Sequence, residues 1–91
     1  MNSMTMNWED EENNRLVELS VAYRIDSDRL EIVEITPTSV SFFEPQTKHF
    51  IRKINVWTST GRDMLCHAYR QHVGMDRLRS QMEEELLAAA S

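Results

Sequence analysis

A chain of 91 residues, 41% apolar and 27% charged, implies one domain with one modest core, because a chain of this size buries only about 60–65% of the surface it exposes when unfolded. Two glycines, two prolines and a single cysteine exclude a low-complexity or disulfide-stapled chain. A net charge of −5 argues against non-specific nucleic-acid binding, which draws most of its affinity from neutralising phosphates.

The charge is unevenly placed. Residues 1–47 carry a balance of −7 and residues 48–91 a balance of +2. No apolar run resembles a secretory leader or approaches the roughly 20 residues that span a bilayer. With one thiol, a reducing compartment is the expectation, most simply the cytoplasm.

In chain order, residues 1–14 show no evident periodicity and contain four adjacent carboxylates, Glu9-Asp10-Glu11-Glu12. Mutual repulsion with little apolar surface to offset it predicts a disordered acidic tail, leaving residues 15–91 as the folded domain. Val17, Leu19, Val21, Tyr23 and Ile25 then alternate with Glu18, Ser20, Ala22 and Arg24, the pattern of a strand with one buried face. Asp26-Ser27-Asp28 reads as a turn. A second strand follows over 29–35, where Leu30 and Ile32 share one face and Val33 and Ile35 the other. A bulge or burial on both sides fits that switch.

Pro37 lacks a ladder donor and is expected to end this strand. Residues 39–44 form a third strand and residues 49–57 a fourth, with Phe50, Ile54 and Val56 facing inward. Short breaks between neighbours favour an antiparallel meander. At Thr58 the period changes. Ser59 or Thr60 can cap a helix whose Leu65, Ala68, Tyr69 and His72 share a face. Gly74 stops or kinks it, and Asp76 can cap a second helix in which Leu78, Met82 and Leu86 recur every four residues. The expected fold is therefore α+β: an antiparallel meander of about four strands packed against one or two C-terminal helices.

No catalytic or ligand signature emerges, so enzyme activity, a metal and a cofactor are not expected. Cys66 is the candidate reactive thiol, flanked on a helix by Arg62 and Arg70, whose charge would favour the thiolate. Neither Cys66-His67 nor the step to His72 places two metal ligands on one helical face. Lys48, Lys53, Arg62 and Arg70 form a candidate basic patch among the aromatics Phe50, Trp57 and Tyr69, the composition of a nucleic-acid surface. Trp57 and Ile51, on the sheet face away from the core, and Met82 and Leu86, on the last helix, form a candidate interaction surface. The favoured reading is a small non-catalytic protein-interaction domain that can pair with itself as a homodimer. A nucleic-acid-associated domain and a thiol-dependent enzyme or redox sensor are the alternatives.

Overall fold

A computed structural model describes residues 2–90. The strands are β1 (Asn2–Asp10), β2 (Arg15–Asp26), β3 (Arg29–Phe43) and β4 (Phe50–Asn55), and the helices are α1 (Ser59–His72) and α2 (Met75–Ala90). The strands form one antiparallel sheet in the order β1-β2-β3-β4. The expected class holds, but the strands are divided differently from the sequence reading.

Residues 2–10, expected to be a tail, pair along their whole length with β2. Met6 and Trp8 enter the core at 9% and 6% exposure, while Thr5, Asn7 and Glu9 face water. The acidic run does not melt the segment because only Asp10 is turned inward, onto partners of its own, while Glu9, Glu11 and Glu12 stay in water. Glu9 and Asp10 end β1, and Glu11 and Glu12 lie in a 3-10 turn, Glu11–Asn13. The buried Asp10 carboxylate accepts from Asn13 Nδ2 and Arg15 Nε, each at 2.8 Å. Asn14 closes the turn in the left-handed region, which asparagine tolerates better than most residues. Met1 lies outside the described residues.

Pro37 does not end a strand; β3 runs through it for 15 residues. The register with β2 skips Val33 and then Thr38. Each skip moves the inward set by one residue, so Leu30 and Ile32, then Ile35 and Pro37, then Val40 all face the helices. Proline is tolerated because it adjoins a bulge and because β4 pairs with β3 only from Ser39 onward. The β2–β3 turn at Ser27 and Asp28, with φ of 52° and 66°, is the expected one. Two successive positive φ values match the twist of a tight hairpin.

Both helices lie on one face of the sheet. Tyr69 of α1 and Leu78 and Met82 of α2 close over Val17, Leu19 and Val21, all nearly inaccessible. The helices are separate. Gly74 has φ of +90°, a conformation that glycine adopts freely, and its carbonyl accepts from Leu78 N at 3.3 Å. The caps differ from expectation: Thr58 caps α1 and Asp76 lies inside the first turn of α2.

Candidate functional site

The helix layer stops short of β4. All six residues of β4 are exposed, Ile54 at 41% and Phe50 at 60%. Ile54 stands opposite Val40, and Arg52 opposite Phe42, on the side that the helices cover elsewhere. Phe50 was expected inside. The β3–β4 register skips Ile51, which brings Phe50 opposite Phe43, where the two rings meet edge to face at 6.0 Å.

The chain then turns sharply into α1. Val56 N donates to Thr38 O at 2.8 Å, and Arg62 Nε donates to the Val56 carbonyl at 3.4 Å. Thr58 Oγ1 accepts from Gly61 N at 3.1 Å. A Cβ at Gly61 would come within 2.9 Å of that hydroxyl oxygen, so the tight cap favours glycine there. These bonds hold the backbone of Trp57 at both flanks while its indole remains 84% exposed. Met64, one turn into α1, is 69% exposed. Between strand and helix lies a groove of about 520 Å³ lined by Ile54, Val56, Trp57, Met64, Leu65 and Ala68 among others. Its floor and rim are largely apolar.

A second concave region, of about 480 Å³, lies beside Trp8, Tyr69 and His72. It is part of the support for the core. The Trp8 indole stacks on His72 at 6.0 Å, meets Tyr69 edge on at 5.6 Å, and lies under the Arg15 guanidinium at 5.6 Å. Burial pushes the Tyr69 hydroxyl up to about 12, so it stays a neutral phenol. Burial would also raise the Asp10 carboxyl, but the hydrogen bonds from Asn13 and Arg15 and the charge of Arg15 outweigh it and hold the group below its ordinary value.

The remaining candidates do not converge. Met82 is wholly buried and Leu86 half-buried against the core. Met82 therefore leaves the interaction surface: the four-residue stripe of α2 is its contact with the sheet. Trp57 and the 57% exposed Ile51 are on the surface. The basic residues are divided between layers. Lys53 faces the open side of the sheet, 3.6 Å from Glu18, and Lys48 donates to Asn14 Oδ1 at 2.7 Å. Arg62 and Arg70 lie on α1, across the sheet from Lys53. Cys66 is a free thiol, half-buried at the core margin, and Arg62 directs its Nε to the Val56 carbonyl. Among the described residues, no three His, Cys, Asp or Glu side chains gather as a metal site, and no helix is long and apolar enough to cross a membrane.

No family model, curated protein or solved structure matches this chain. Geometry alone therefore ranks the candidates, and the groove with the β4 edge ranks first. It joins an uncovered apolar surface to an uncovered strand edge, and it contains no titratable pair suited to proton transfer. Sequence reading marked Trp57 as exposed but assigned Ile54 to the core and set Met64 beside the apolar face of the helix, where it is in fact 69% exposed. Arg52, on the same strand side as Ile54, was the available sign that the helices do not reach β4.

Proposed function

We propose that this chain is a non-catalytic protein-interaction domain whose docking surface is the β4 edge together with the groove beside α1. One observation carries the reading: Trp57 is 84% exposed on a backbone fixed at both sides, next to exposed Ile54 and Met64. An exposed indole beside other apolar side chains is the usual composition of an interface centre. It is costly to leave in water, since each buried side chain of this size gains about 1.5–3 kcal/mol. The lone Cys66 and the absence of a disulfide framework support a cytoplasmic setting.

Fluorotryptophan labelling tests this with no residue substituted, because the two tryptophans, Trp8 and Trp57, report on different places. The Trp8 resonance is the internal control, buried in every state. The Trp57 resonance is expected to shift and broaden as protein is concentrated or a partner is added, and the association is expected to be lost in Trp57→Ser. A Trp57 signal that stays solvent-like up to millimolar protein and in the presence of total cellular protein overturns the reading.

A further inference from the structure

We infer that the occupant of this surface is a second copy of the same chain, joined through antiparallel β4–β4 pairing about a twofold axis at Ile54. The inference rests on the interaction reading above and names its partner.

The backbone fixes which groups are available. Val56 N donates inward to Thr38 O. Alternation along the strand then turns Ile54 and Arg52 toward β3 and leaves the amide and carbonyl groups of Lys53 and Asn55 on the outer edge. β4 ends the sheet order, so these groups have no strand beside them among the described residues. A second β4 laid antiparallel with Ile54 on the axis brings Lys53 opposite Asn55 in both directions, the pairs whose backbone groups point outward. Ile54 then meets Ile54 as the intervening close pair.

Charge narrows the choice of register, and Ile54 is the apolar position left to sit on the axis. An axis at Arg52 or Lys53 would set that cation against its own copy, and like charges directly opposite destabilise a sheet. An axis at Ile51 would run through the register skip. With Ile54 on the axis, Arg52 stands opposite Val56 and Lys53 opposite Asn55. The cations already have partners within their own chain: Arg52 lies 5.7 Å over the Phe42 ring and Lys53 is 3.6 Å from Glu18. Lysine on an edge strand normally discourages pairing; here its charge is met by Glu18. The pairing also joins the two grooves beside α1, so that Ile54, Val56 and Met64 of both copies border one apolar trough. Trp57 of each copy is carried toward Ile51 of the other.

The other free edge is a poorer fit. On the side of the sheet that Ile54 occupies, β1 has already committed Met6 and Trp8 to its own core, and its exposed residues Ser3, Thr5, Asn7 and Glu9 are polar and face the other way, so it offers Ile54 little free apolar surface. Pairing β4 with β1 of another copy is head-to-tail, so it ends only where several copies close a ring and otherwise grows as an open filament.

Single-cysteine variants test the inference, each made with Cys66→Ser and checked for native circular dichroism. Opposed residues of a close antiparallel pair have Cα atoms about 4.5 Å apart, within disulfide range. Ile54→Cys is expected to form a covalent dimer under mild oxidation in dilute solution, while Arg52→Cys and Lys53→Cys stay largely monomeric. Sedimentation of the unaltered chain is expected to show a closed dimer that Ile54→Glu abolishes. Preferential linkage at position 52 or 53 overturns the register. A mass that keeps growing with concentration overturns the twofold. A monomer at every concentration, or a Trp57 signal that responds only to some other protein, overturns self-pairing while leaving the interaction reading in place.

Discussion

The two edge strands of this sheet have opposite fates. β1 places Met6 and Trp8 beneath the helices at 9% and 6% exposure, whereas every residue of β4 remains exposed. Both strands carry apolar residues, so hydrophobicity alone does not explain the difference. What separates them is where the helix layer lies. The left-handed Gly74 turns the chain so that α2 adds Leu78 and Met82 to the core that Met6 and Trp8 also join, while α1 begins after β4 and carries Tyr69 across to Trp8. The comparison teaches that the N-terminal edge is built into the core while the C-terminal edge is left uncovered, the edge to which the proposed association is assigned.

If that division is right, the largest losses come from the covered side. Leu78→Ala is expected to destabilise the chain by about 2–5 kcal/mol, since Leu78 is wholly inaccessible. That is a large part of the total stability of a domain this small. Trp8→Ala should cost about 3–5 kcal/mol, although the segment has the composition of a tail. Denaturant titration followed by circular dichroism measures both. A Trp8→Ala variant as stable as the parent would show that β1 is an accessory strand and would break the comparison.

Two titratable groups near the same edge sharpen it through pH. The folded-state pKa of Asp10 is depressed by Asn13 and Arg15, so its contribution is complete above the ordinary carboxylate value and is lost as pH falls through the lower folded value. Asp10→Ala should cost about 1–3 kcal/mol at neutral pH and flatten the acid limb of a stability–pH curve. Tyr69 has the opposite sense. Its folded pKa is raised from 10.0 to about 12, so folding favours the neutral phenol. Stability is then lost as pH rises between those values, and Tyr69→Phe should make the alkaline limb shallower. Equal alkaline limbs for parent and variant would show that the ring is not held away from water.

These groups also show what the sequence makes legible. The class of the fold, the β2 alternation, the turn at Ser27-Asp28 and the break at Gly74 follow from local periodicity and backbone preference. The 15-residue β3 does not, because its inward set changes parity twice and only pairing with β2 reveals that both skips keep apolar residues on one side. β1 was misread as a tail although Met4, Met6 and Trp8 alternate with Thr5, Asn7 and Glu9, because four adjacent carboxylates dominate the composition and the 3-10 turn that follows the strand has no strong sequence mark. The groove was least legible. Ile54 reads as an inward residue from its alternation with Lys53 and Asn55, and only the position of the helices leaves it uncovered.

Backbone strain gives a smaller effect at the hinge between the two regions. Gly74→Ala meets no atom within 4 Å, so steric clash is absent and the left-handed φ of +90° alone sets the penalty. That conformation costs a residue with a Cβ about 1–2 kcal/mol, visible as a fall in melting temperature of several degrees for a domain of this length. A neutral outcome would mean that the helices can meet at another angle, and that α2 is not what confines burial to the β1 side.

The smallest effect on folding is expected at the uncovered edge, and it is the sharpest test of the division. Trp57 is 84% exposed, so removing its ring leaves no cavity, and a surface change without a buried partner stays within about 0.5 kcal/mol. Trp57→Ser, compared with the parent at a concentration low enough to keep both monomeric, should unfold at nearly the same denaturant concentration. At high concentration the parent alone should gain stability, because anything that binds only the folded state stabilises it by mass action. A large loss in the dilute monomer would mean that the indole holds the turn into α1, and the contrast between a structural edge and an associating edge would fail at its most exposed residue.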